Sequence, residues 1–85
     1  MPKIPRDISG SKLVRLLKKY NYEITRKSGS HVRLTSMHKG KKHNITIPNH
    51  KIIKIGTLNN ILNDLAGYLE IDKNKLINDL FSSKY

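Results

Sequence analysis

No part of this chain limits its possible folds more than the stretch from Tyr22 to Thr35. Two short runs of alternating apolar and polar residues flank Ser28-Gly29-Ser30, and alternation of period two marks a half-buried β-strand. In the first run Tyr22 and Ile24 are expected on one face, with Glu23, Thr25 and Lys27 on the other. In the returning run Val32 and Leu34 share a face. That leaves His31, Arg33 and Thr35 together on the opposite, solvent-facing side. Gly29 supplies the positive φ that so tight a connection needs. A hairpin of this kind must have its apolar face covered by other elements.

The flanking sequence provides them. Leu13, Leu16, Leu17 and Tyr20 recur at i, i+3, i+4 and i+7, which predicts a helix over residues 12–20 with Ser9 or Ser11 as its N-cap. Asn21 suits the left-handed conformation that ends a helix. After a polar connection, Met37 to Lys42, a third strand is expected over His43 to Pro48, with Ile45 and Ile47 inward and Asn44 and Thr46 outward. Pro48 ends it, since proline cannot donate to a ladder. Asn49 to Ile55 reads as a basic loop. A second helix should start at Gly56-Thr57 with Thr57 as cap, carry Leu58, Ile61, Leu62 and Leu65 on one face, and stop near Gly67. Asp72 can cap a last helix, about residues 72–81, whose stripe Leu76, Ile77, Leu80 and Phe81 meets either the domain or a partner. The whole predicts one α+β domain over residues 1–85 in the order α-β-β-β-α plus a short C-terminal helix, with its core about residues 9–68. A three-stranded antiparallel sheet with its helices on one face leaves the other face open. Double-stranded-RNA-binding domains have this layout.

Charge narrows the class of partner. The net charge is +11, and it is unevenly spread: residues 1–54 hold 14 Lys/Arg against Asp7 and Glu23, whereas residues 55–85 hold 3 Lys against 4 carboxylates. Such a field attracts a polyanion and points to nucleic acid, whose phosphates release counterions to lysine and arginine. Binding to an anionic membrane would call for an amphipathic helix with bulky exposed apolar residues. No apolar run approaches the roughly 20 residues of a bilayer span, and Met1 to Pro5 lacks the apolar core of a signal peptide. There is no cysteine, which fits a reducing compartment. A soluble, cytoplasmic protein is expected.

Among the candidate site residues, His31 stands out because histidine exchanges a proton near neutral pH and here begins a strand directly after a turn. Read from the residues alone, it is either an ordinary surface histidine or a proton-transfer group. Lys27 and Arg33 are candidate phosphate ligands, and Ser28 and Ser30 are turn residues that can also contact phosphate. Lys12, Arg15 and Lys19 form a basic stripe that is either a solvated face or an RNA-binding one. His50, after Pro48, is a second proton-transfer candidate or fixes its loop. His38 and His43 flank Lys39, Lys41 and Lys42 and are expected in solvent or on phosphate. The four histidines lack a helical i, i+4 pair, and with no cysteine a metal site is not expected. A Ser-His-Asp hydrolase would need a pocket and oxyanion hole for which 85 residues leave little room.

The ordered set of an N-terminal helix, a strand led by an aromatic, Gly29-Ser30-His31, Ile45-Thr46-Ile47-Pro48-Asn49-His50 and Gly56-Thr57-Leu58 with Ile61-Leu62 resembles the HicA family of toxins. The likeness covers roughly residues 9–68. It implies a fold like that of double-stranded-RNA-binding domains, ribonuclease activity on messenger RNA, and neutralisation by a HicB antitoxin; because RNA carries its own nucleophile, the 2′-OH, such cleavage needs only an acid and a base, and no cofactor is expected. It also implies that His31 is catalytic, because the family's catalytic histidine matches this position. Asn21-Tyr22 stands where such proteins often have Gly-Phe, a mild departure, since Asn tolerates the left-handed cap and Tyr keeps the aromatic ring. Three functional classes follow: a metal-independent endoribonuclease toxin, a non-catalytic RNA-binding module, and one half of a complex with an antitoxin. The first and third are compatible.

Overall fold

A computed structural model describes residues 4–81. Ser9 caps the first helix, α1 (Gly10–Leu17), its hydroxyl accepting from the Lys12 N–H at 3.1 Å. A 3₁₀ turn, Lys18–Tyr20, extends it, and Asn21 stops the run at φ 65°. Three strands follow, β1 (Glu23–Ser28), β2 (His31–Ser36) and β3 (His43–Pro48), paired antiparallel in the order β1-β2-β3. Helices α2 (Ile55–Leu69) and α3 (Lys73–Phe81) complete the α+β arrangement.

Val32 and Leu34 of the central strand and Ile45 and Ile47 of β3 are buried. They share a core with Leu13 and Leu17 of α1, Leu58, Leu62 and Leu65 of α2, and Leu76, Ile77, Leu80 and Phe81 of α3. The stripe on α3, open to either role in the sequence, is therefore part of this chain's own core. Tyr20 and Lys19 reinforce that docking: the Tyr20 hydroxyl donates to the Asp79 carboxylate at 3.2 Å and Lys19 Nζ to the Asp79 carbonyl at 2.8 Å. Burial, with the Asp79 carboxylate adding to it, pushes the Tyr20 hydroxyl up to about 12. Asp72 caps α3 as its position suggests, accepting from the N–H groups of Asn74 and Lys75.

Two helix boundaries depart from the sequence reading. Helix α2 begins after Lys54, which makes no side-chain cap bond, so Thr57 lies in the first turn. At the other end the helix runs through Gly67 and stops at Glu70, which takes φ 57°. The extra turn is held by tertiary contacts: Leu69 is buried, and the Tyr68 hydroxyl donates to the Lys41 carbonyl and accepts from the Lys39 N–H.

His43 differs most from expectation. Instead of lying in solvent or against phosphate, its ring stacks on Tyr68, with centroids 4.5 Å apart. Its Nε2 lies 3.4 Å from Asp64 and its Nδ1 2.6 Å from the Tyr22 hydroxyl. A carboxylate beside Nε2 favours the proton there, which leaves Nδ1 to accept from Tyr22. Burial, with Tyr68 and Asp64 adding to it, raises the Tyr22 hydroxyl above its ordinary range, so it stays a donor. His43 thus joins β3 to α2 and to the start of β1. Among the described residues no helix is long and apolar enough to cross a membrane.

Candidate functional site

The face of the sheet away from the helices carries the candidate site, and a β-bulge decides which side chains reach it. Ile24 pairs with Leu34, but the next pair is Arg26 with Arg33, so Thr25 is an extra residue in β1. At a bulge two residues oppose one, and strict alternation is lost. Thr25 stays on the open face, where its hydroxyl lies 2.9 Å from that of Thr35. Thr35 in turn donates to Asn44 Oδ1 at 2.7 Å, so its one proton is committed and Thr25 is the donor in the first bond. A polar row, Thr25-Thr35-Asn44, crosses all three strands and secures the bulge.

Beyond it the face pattern is inverted relative to simple alternation. Lys27 pairs with the buried Val32 and so takes the helix side, while Arg26 pairs with Arg33, and Ser28 with His31. The second row on the open face is therefore Arg26-Arg33-Thr46, and the third is Ser28-His31-Pro48. Arg26, Ser28, His31, Arg33 and Thr46 line one shallow cleft of about 190 Å³. All five are exposed.

A two-residue turn, Gly29-Ser30, closes the hairpin, with Gly29 at φ 59° and Ser30 at negative φ, the sign pattern of a type II′ turn. This turn matches the right-handed twist of the strands and fixes the Ser28–His31 pair at its base. Ser28 consequently belongs to β1. The Ser30 carbonyl accepts from the Asn49 N–H at 2.6 Å, tying the turn to the loop after β3. That loop is fixed to α1 as well, because Gly10 N–H donates to the His50 carbonyl at 2.9 Å. His31 therefore sits on a corner held from two sides, exposed and lining the cleft.

The remaining sequence candidates lie elsewhere. Lys27 joins Arg15 and Lys18 in a groove of about 270 Å³ on the helix side, floored by Val14, Ile24 and Val32. Lys19 is turned to α3, and the proposed stripe is thereby divided. The loop-fixing of His50 runs through its carbonyl, and its ring does not line the His31 cleft. Sequence reasoning missed Arg26, for it sits at an apolar position of the simple alternation and nothing local announces the bulge. Lys18 was missed as well, although its spacing from Ser11, Val14 and Arg15 places it on the same face of α1.

The clustered imidazole, hydroxyls and guanidiniums can transfer a proton and bind an anion at one place. No curated protein and no solved structure matches the chain significantly. The family model described as HicA toxin of bacterial toxin-antitoxin matches residues 10–66, from the start of α1 through most of α2 and hence through the entire open face. With two-thirds of its length covered by that match, and with the sheet and helices in the order described, this chain belongs to the HicA toxin family.

Proposed function

We propose that the chain is an endoribonuclease toxin that cleaves messenger RNA in the cytoplasm, with His31 as the general acid or base and no metal or other cofactor. The observation that supports this most directly is the placement of an exposed His31 in one cleft with Arg26, Ser28 and Arg33. RNA brings its own nucleophile. A base takes the proton of a ribose 2′-OH, its oxygen bonds to the adjacent phosphorus, and the bond to the 5′-oxygen breaks as an acid protonates that leaving group. The products carry a 2′,3′-cyclic phosphate and a 5′-hydroxyl. A positioned imidazole contributes about 10²- to 10⁴-fold by such proton transfer, and neighbouring cations stabilise the charge gathering on the phosphate oxygens.

An activity so simple in its requirements needs restraint, and an open, cationic sheet face suits coverage by a partner. The partner proposed is a HicB-like antitoxin that occludes His31 and its cations. RNA in other grooves, including the one lined by Arg15, Lys18 and Lys27, would extend the contact beyond the reacting phosphate.

The test is the His31→Ala variant. It should fold and bind RNA like the wild type, yet lose cleavage in excess EDTA by at least about 10²-fold and no longer arrest growth. Co-expression of the wild type with the product of the neighbouring open reading frame should relieve the arrest. Cleavage by His31→Ala at the wild-type rate would remove the imidazole from the chemistry. RNA left intact by the wild-type protein would favour a non-catalytic RNA-binding module instead.

A further inference from the structure

Arg26 and Arg33 face each other directly across the β1–β2 ladder, on the open face and in the cleft that holds His31. Like charges in that relation repel. Among the described residues neither guanidinium has a carboxylate within ion-pair distance. The polar row through Thr25 fixes the register on one side, and the Gly29-Ser30 turn fixes it on the other. The fold thus keeps two planar, always-charged forks side by side with an unfavourable interaction between them. A phosphate converts that interaction to a favourable one, since its oxygens accept bidentate bonds from guanidinium groups.

We propose that Arg26 and Arg33 form a two-guanidinium clamp on the scissile phosphate, with Arg26 a catalytic residue that neutralises the charge developing there. This rests on the ribonuclease reading above and assigns the substrate phosphate to a defined pair of side chains. His31, two residues from Arg33 on the same face of β2, reaches the adjoining ribose or leaving oxygen. The clamp transfers no proton: the 2′-oxygen to phosphorus bond forms and the phosphorus to 5′-oxygen bond breaks while both guanidiniums keep theirs.

Arg26→Gln, Arg26→Lys and Arg33→Gln in the full chain test it, with three readouts: thermal unfolding, affinity for a single-stranded DNA copy of the substrate, and single-turnover RNA cleavage at saturating protein. DNA lacks the 2′-OH and cannot be cut by this route. For Arg26→Gln the expected result is an unfolding temperature equal to or above wild type at low salt. DNA affinity should fall about 3- to 10-fold, as for one lost charge-assisted contact, and the cleavage rate about 10²-fold. Arg26→Lys should recover only part of the rate, because ammonium supplies charge without the fork. A single-turnover rate within about 3-fold of wild type would overturn the clamp. So would loss of rate accompanied by loss of stability with Arg26→Lys restoring both fully, the signature of a structural role. If Arg26→Gln does not fold, Arg33→Gln and Arg26→Lys carry the same comparison. Should wild-type protein cut no RNA, the ribonuclease reading falls by itself. DNA affinity then judges the phosphate contact: weakened binding in Arg26→Gln supports it, and unchanged binding overturns it.

Discussion

A glycine and a histidine show how much hangs on single positions here. A Cβ on Gly10 would lie 2.3 Å from the Pro48 carbonyl oxygen and 2.8 Å from Asn49 Cα, both backbone atoms. Helix propensity alone would favour alanine over glycine by about 1 kcal/mol. The collision dominates, because the start of α1 is bonded to the His50 carbonyl and cannot withdraw without breaking that contact. Gly10→Ala should therefore destabilise the protein by about 1–3 kcal/mol, the usual cost of overpacking, as a lower midpoint in chemical denaturation. A midpoint at or above wild type would show that α1 and the loop after β3 can move apart. His31 was legible in the sequence because period two carries it to the face shared with Arg33. His43 was not, because the ring that stacks on it, Tyr68, lies in an element whose packing no local pattern reveals.

At the level of elements, the apolar spacing of α1, α2 and α3 was sufficient to place each helix, and the Ser9 and Asp72 caps were legible locally, while the C-terminal end of α2 was set by contacts from outside it. Gly67 looks like a stop signal, yet it meets nothing within 4 Å and α2 continues until Tyr68 and Leu69 have docked. Strand β1 shows the converse, for its composition reads correctly as a strand but the bulge at Thr25 redirects Arg26 and Lys27. The assignment of α3 to the core has a direct consequence. Leu76 is fully buried, so Leu76→Ala should cost about 2–5 kcal/mol by loss of contacts and creation of a cavity, measured as the shift in unfolding free energy. A change below about 0.5 kcal/mol, typical of surface sites, would mean that α3 is only an appendage.

Over the whole molecule the positive charge is divided by the sheet. Arg26 and Arg33 occupy the open side, while Arg15, Lys18 and Lys27 gather in the groove between α1 and β1. A strand of RNA passing over the closed end of the hairpin would meet both groups. The binding reading then has a quantitative form: for single strands each neutralised phosphate contributes about 0.7 to the slope of log affinity against log salt. Substituting Arg15→Gln and Lys18→Gln together should flatten the slope for a single-stranded oligonucleotide by about 1.4, whereas His31→Ala should leave it unchanged. An unaltered slope in the double variant would confine the nucleic acid to the open face. β1 lies at the margin of the sheet, with every one of its residues exposed, so its outward N–H and C=O groups are a template on which another chain could add a strand. The irregular spacing at Thr25 and the cations at Arg26 and Lys27 spoil that template, as bulges and charges do on natural sheet margins. The single extra residue that brings a guanidinium into the cleft thus also guards the molecule against aggregation with copies of itself.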